Sequence, residues 1–174
     1  MRQRHIVVIP SWYSSGRGSG GGYFRDQALA LQAAGHRVAI LAPDIHTRRD
    51  LRAGRPITRE AVLDDGVPVY RASRRVVVPR LPYRNALAWS LGGLSLFRAY
   101  AVRHGMPDLV HAHSCLNAGV LAALIKHRHG LPFVLTEHSA ASAAVPMSRA
   151  SAGVSPAPSA ALNAIEAARA WRCS

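Results

Sequence analysis

The feature that most constrains this chain is a regular alternation of short β-branched runs with segments of helical periodicity. His5-Ile6-Val7-Val8-Ile9-Pro10 has an uninterrupted apolar centre, the pattern of a strand covered on both faces. A glycine-rich loop, Ser11 to Gly22, follows. Tyr23 to Ala34 then places Phe24, Ala28, Leu29 and Leu31 at helical spacing, and Gly35 stands where a left-handed cap belongs. Arg37 to Pro43 is the next strand. Strand, loop, helix and strand within this span make one unit of the size of a βαβ crossover.

The pattern recurs. Asp108 to His113 reads as a strand, Leu116 to His129 as a helix closed by Gly130, and Pro132 to Thr136 as another strand. Between the two units lie a polar stretch from Ile45 to Gly66, a strand over Val67 to Ala72, and a helix over Arg84 to His104. Alternating buried strands and helices imply a parallel sheet covered on both sides. The expected fold is therefore α/β, a Rossmann-like, doubly wound parallel sheet forming a single domain.

That domain is expected to span residues 1–139. From Ala140 to Ser174 the sequence turns rich in alanine, serine and proline, with almost no β-branched residue and no strand signal. A disordered tail and an out-of-frame translation both fit; the abrupt change and the presence of Trp171 and Cys173 favour the second.

Charge and cysteine content narrow the classes of function. The net charge of +13 invites a polyanionic partner. Lys126 is the lone lysine, however, and the arginines are dispersed without a basic helix carrying interleaved aromatics, so a nucleic-acid partner is not expected. Two cysteines, Cys115 and Cys173, make neither a disulfide framework nor a zinc pattern. The longest apolar run, Ala86 to Phe97, stops at Arg98 short of a membrane span, and the N-terminus lacks a signal-peptide pattern. A cytoplasmic domain is the expectation. Arg74 to Arg84 mixes arginines with aliphatic residues ahead of an apolar helix, which raises peripheral contact with an anionic membrane.

Three features carry chemistry. The loop Ser14 to Gly22 lets backbone N–H groups approach an anion, and the helix behind it adds a partial positive charge. Its literal G-x-G-x-x-G at Gly16, Gly18 and Gly21, with Asp44 as a ribose partner, opens a dinucleotide reading, but the loop is far longer than the tight turn of that fingerprint. The strand ends His111-Ala112-His113-Ser114 and Thr136-Glu137-His138-Ser139 bring polar groups to the same carboxyl edge. Strand alternation puts His111 and His113 on one face. A third metal ligand would have to be Glu137 or His138 from another strand, and no supporting pattern of outer partners accompanies them, so no metal site is expected, and no cofactor is implied.

Ile9-Pro10-Ser11-Trp12-Tyr13, Gly22-Tyr23-Phe24-Arg25-Asp26-Gln27-Ala28-Leu29-Ala30-Leu31, Ala34-Gly35-His36-Arg37-Val38, Pro107 to Ser114 and Thr136-Glu137-His138-Ser139 occur in an order and spacing that together are specific. Over residues 5 to 139 the chain resembles the N-terminal domain of a family 4 glycosyltransferase of GT-B architecture, half of a two-domain fold. The resemblance implies transfer of a sugar, with retention, from a nucleotide-diphospho-sugar donor to a hydroxyl of a glycan or lipid-linked acceptor, without a bound metal. It implies that Gly21 and Gly22 bring amides toward the donor diphosphate. It makes His138 the catalytic contact to the transferred sugar, with Glu137 beside it and His113 a cleft residue. The family's second domain, with its basic pair and Glu-x7-Glu pattern, has no counterpart in this sequence, so this polypeptide alone is expected to be inactive. A non-catalytic module binding anions or a membrane surface is the alternative.

Overall fold

The computed structural model describes residues 2–13, 22–46, 52, 54, 57–75 and 82–137, with backbone alone for 82–84. Expectations for the glycine loop from Ser14 to Gly21, for Val76 to Leu81, for His138 and for the segment 140–174 lie outside these residues.

Among the described residues six strands form one sheet: β1 His5–Pro10, β2 Arg37–His46, β3 Arg59–Asp64, β4 Val67–Arg75, β5 Leu109–His113 and β6 Phe133–Thr136. Their spatial order is β3-β4-β2-β1-β5-β6. All pairings are parallel except the β3–β4 hairpin. Helices α1 Gly22–Ala33, α2 Pro82–His104 and α3 Val120–His129 connect the strands. This is the α/β, Rossmann-like architecture expected.

Every residue of β1 is buried, and its side chains divide by alternation. Ile6 and Val8 join Ala28 and Leu31 of α1 on one face. Val7 and Ile9 join Trp89 and Phe97 of α2 and Leu121 and Ile125 of α3 on the other. The apolar run in the sequence thus becomes the shared wall of two cores. Close approach of α2 depends on Gly93, where a Cβ would fall 2.3 Å from Leu121 Cδ2 and 3.0 Å from Pro43 Cγ.

Helix ends follow sequence chemistry. Gly35 adopts φ 86°; its N–H donates to Gln32 O and that of His36 to Leu31 O, a Schellman closure of α1. Gly130 caps α3 at φ 69°, donating to Lys126 O.

The structure departs from the sequence expectation in several places: β2 runs past Pro43 to His46 and β4 past Ala72 to Arg75. The stretch read as polar, Ile45 to Gly66, contains β3, five of whose six residues are exposed. Its apolar residues, Ala61, Val62 and Leu63, are consecutive rather than alternating and give a weak periodic signal, but Asp65-Gly66 marks it. Both residues have positive φ, 49° and 89°, as a tight two-residue hairpin turn requires. In addition, the helix expected from Leu116 starts only at Val120. Cys115–Gly119 forms a kinked turn in which Leu116 is extended and Asn117 is left-handed.

At the amino edge of the sheet, Asp108 Oδ2 accepts the His5 N–H at 2.8 Å, while Asp108 N–H donates to His5 O at 2.7 Å. The first contact holds the Asp108 carboxyl below its usual range. His5 Nδ1 lies 2.7 Å from Arg37 Nη2, and its Nε2 lies 2.6 Å from the Tyr100 hydroxyl. Nε2 also lies 3.1 Å from that Nη2; a guanidinium can only donate, so the imidazole meets it with a lone pair and is neutral. Burial, then the Arg37 charge, lower the His5 pKa below the ordinary 6.5, outweighing the raising influence of Met106 and Asp108.

Below pH 6.5 the unfolded chain therefore takes up a proton that native His5 refuses, so this contribution is complete above that pH and is lost as the pH falls through the native value. Thermal melts are expected to show Tm falling on acidification below about pH 6.5, with a shallower fall in His5→Gln. An equal slope in the two proteins would contradict this role.

Candidate functional site at the carboxyl edge

The strand order reverses between β1 and β5, which pair side by side with Pro10 opposite His113. In open α/β sheets the crevice beyond the carboxyl ends at such a switch point is where ligands sit. The chain leaves β1 through Ser11, Trp12 and Tyr13 and leaves β5 through the kinked turn, so sequence positions about a hundred residues apart meet there.

Ser11 joins the two exits. Its Oγ accepts the Ala118 N–H at 3.2 Å and lies 2.7 Å from Leu116 O and 3.0 Å from His113 O. A hydroxyl has one proton, and the shorter contact to Leu116 O is the better acceptor. The turn it holds contains two non-glycine residues with positive φ, Ser114 at 78° and Asn117 at 57°, each costing roughly 1–3 kcal/mol. Ser114 N–H donates to Thr136 O at 2.8 Å, and Gly119 N–H donates to Ser114 O at 3.0 Å. Strain of this kind persists only where surrounding contacts over-determine the backbone.

The residues singled out in the sequence are placed as follows. Gly22 is the first residue of α1. His113 closes β5 and is fully buried, its ring 4.9 Å from Phe24, 6.2 Å from Tyr23 and 4.2 Å from His111. His111 and His113 thus share a face, as alternation requires, and His111 Nε2 meets Thr136 Oγ1 at 2.8 Å. Glu137 follows β6, and its Oε2 accepts the Cys115 N–H at 2.7 Å. The same carboxylate, by hydrogen bonding to the thiol, raises the Cys115 pKa, keeping it protonated and a poor nucleophile. The structure therefore brings His113 to the first turn of α1 and Glu137 to the turn after β5. His138 and Gly21 lie outside the described residues. Among the described residues no group of three histidine, cysteine or acidic side chains has the arrangement of a metal site.

Beside the switch point, a cleft of about 410 Å³ opens over the carboxyl ends of β1, β2 and β4, lined by Trp12, Tyr13, Asp44, Glu60, Arg71 and Ser73 among others. Asp44, considered above as a ribose partner, is exposed here, with Oδ2 3.4 Å from His46 Nε2.

Sequence reasoning missed the ion-pair cluster that supports this wall. Arg25 is buried in the first turn of α1, where the helix dipole disfavours a cation. Its Nη1 lies 3.4 Å from both Asp64 Oδ1 and Asp65 Oδ2. Burial opposes its charge, but the two aspartates prevail and its pKa is raised. Tyr13 donates its hydroxyl to Asp64 Oδ2 at 2.7 Å, and burial together with that bond raises the phenol pKa, keeping it a donor. The β3–β4 turn is thereby tied to α1 and to the exit of β1. An arginine in a helix's first turn was the available signal, but its partners are some forty residues away, at Asp64 and Asp65.

Residues 18–172 match the family described as glycosyl transferase 4-like domain. No curated protein matches the chain in sequence. Among solved structures, the catalytic domain of starch synthase IV from Arabidopsis thaliana, bound to ADP and acarbose, is similar with a TM-score of 0.53 and 15% identity, over 79% of this chain and 34% of that one. Sucrose-phosphate synthase from Thermosynechococcus elongatus is similar with a TM-score of 0.54 and 18% identity, over 78% of this chain and 33% of that one. The likeness is one of fold, and the chain spans about a third of each of these proteins.

Ser11→Ala leaves the buried Ala118 N–H without its acceptor, a loss of about 1–3 kcal/mol. Urea unfolding is expected to show a lower midpoint with an unchanged slope; an unaltered midpoint would mean that the turn is held by other contacts.

Proposed function

The chain belongs to the glycosyl transferase 4-like family, and from that premise we propose that it forms the acceptor-holding half of an enzyme that moves a sugar from a nucleotide-diphospho-sugar to an acceptor hydroxyl with retention. The observation that carries the proposal, beyond family membership, is the cleft at the carboxyl edge, beside the switch point where such sheets bind ligands. The starch synthase neighbour, bound to ADP and acarbose, is consistent with this kind of partner.

Gly22 supports a role near the donor. Its φ is not left-handed, and among the described atoms a Cβ there would meet only Arg25 Nη2, at 3.9 Å. Neither the backbone conformation nor the packing of the described atoms requires glycine at this first helical position. A bare backbone at the helix N-terminus is what close approach of a diphosphate needs. In this proposal Gly21 and Gly22 offer amides to the diphosphate leaving group, and His138 contacts the transferred sugar and eases the positive charge that develops on it. Preorganised donors of this type do the work when no metal neutralises the leaving group. His113, beneath Tyr23 and Phe24, positions the first turn of α1 from below, and Glu137 fixes the turn before α3. Orientation of two substrates is a large share of catalysis. A polypeptide spanning a third of its structural neighbours is therefore proposed to be inactive by itself.

NMR titration of the chain with a nucleoside diphosphate tests the donor placement. Shifts centred on the amides of Gly22 to Phe24 are expected, diminished in Gly22→Val, and their absence would overturn it. Turnover of nucleotide-sugars by these 174 residues alone would overturn the inactivity.

A second role, at a cytoplasmic membrane face, draws on exposed Leu87 and Leu91 of α2, 54% and 49% accessible, and on exposed Arg74, whose side chain lies against Gly92 of the same helix. No helix of the described residues is long and apolar enough to cross a membrane, so this contact would be peripheral. Co-sedimentation with anionic vesicles that weakens with added salt is expected; equal binding to neutral vesicles would contradict it.

A further inference from the structure

The cleft has an aromatic wall and a charge balance that together select a class of acceptor. Trp12 lines it with 51% of its surface exposed, although a tryptophan ordinarily loses most of its surface on folding. One side of the ring is packed, since Phe24 meets it edge-on, with centroids 5.4 Å apart and planes at 75°. Phe24 is itself buried in α1. A half-open indole beside hydrogen-bonding groups presents a flat apolar face.

The charges around it are matched. Arg71 Nε lies 3.9 Å from Glu60 Oε1, and the guanidinium lies 5.3 Å from the centre of the Tyr13 ring. His46 lies 3.4 Å from Asp44. Each group of the described lining that can carry positive charge already faces a carboxylate. Asp44 and Glu60 remain substantially exposed, their side chains 62% and 47% accessible, with lone pairs left to accept from hydroxyl donors. A phosphate or carboxylate brought here would meet two carboxylates and compete with Glu60 for Arg71. This local balance runs against the net charge of +13 of the chain as a whole.

We infer that the cleft binds the acceptor as a neutral saccharide, with the C–H face of a sugar ring on Trp12 and its hydroxyls donating to Asp44 and Glu60. The volume of about 410 Å³ falls in the range of small-molecule sites, roughly 300–1,000 Å³. Specificity then comes from the number of hydroxyls reaching the two carboxylates, and Trp12 serves as a platform that tolerates several sugars. This inference rests on the acceptor-holding role proposed above.

The test is a glycan array carrying neutral oligosaccharides in one arm and phosphorylated or uronic-acid oligosaccharides in the other, probed with the full chain and its variants. Neutral glycans are expected to bind. Trp12→Ala should weaken binding by roughly tenfold or more, the scale of one lost stacking contact. Trp12→Phe should retain part of the affinity, and Asp44→Asn with Glu60→Gln should weaken neutral binding and, by releasing Arg71, relax the exclusion of acidic glycans. Unfolding midpoints of the variants should match that of the parent chain, which separates lost contact from lost fold. Binding confined to the acidic arm, binding indifferent to Trp12→Ala, or no glycan bound would each overturn the inference. The transferase proposal stands or falls separately. Transfer to an acidic or lipid-phosphate acceptor would keep that proposal and remove this one. Neutral glycans bound at Trp12 without transfer by any enzyme containing the chain would do the reverse.

Discussion

The two-sided burial of β1 is the constraint on which the rest of the structure depends. Its six residues carry no exposed surface of consequence, and each half of the alternating set belongs to a different core. Because both faces are committed, β1 needs helices above and below it, and it lies in the interior of the sheet with a strand on each side. The strand order reverses between β1 and β5, and beyond the carboxyl ends at such a reversal open α/β sheets form a crevice.

At that edge, backbone strain and polar clamping occur together. Two non-glycine residues hold positive φ within one short turn, and Ser11 from the exit of β1 and Thr136 and Glu137 from the end of β6 hold the backbone around them. A helix beginning directly at Leu116 would have cost less locally. The kinked turn instead delays α3 to Val120 and lays the chain across the end of β1. Such an arrangement makes physical sense where fixed geometry at the sheet edge matters more than local stability.

The electrostatics show how poorly overall charge describes a site. The chain is strongly basic, yet the cleft pairs its arginine and histidine with carboxylates, and the buried Arg25 is held by Asp64 and Asp65. Few acidic residues are available, and several of them are concentrated around one wall. That concentration gives the neighbourhood of Trp12 and Tyr13 a polar, near-neutral character that dispersed surface arginines do not alter at short range.

The sequence by itself determined the class of fold, because buried parallel strands need continuous apolar runs and amphipathic crossovers need helical spacing, and both patterns are local. It located β1, β2, β4, β5, β6 and the three helices, and it placed His111 and His113 on one face. It also marked Gly22 and Glu137 at the carboxyl edge, while His138 and Gly21 stay beyond the described residues. Only the tertiary structure decided what each of these touches. β3 escaped because an exposed edge strand has no apolar period, and the kink at Cys115–Gly119 escaped because its determinants are hydrogen bonds from Ser11 and Glu137 rather than its own residues. The Arg25 cluster, the Trp12 wall and the balanced carboxylates could not be read in advance for the same reason. They are pairings across long loops, and side-chain identity along a chain says nothing about which distant group will arrive opposite until the sheet brings them together.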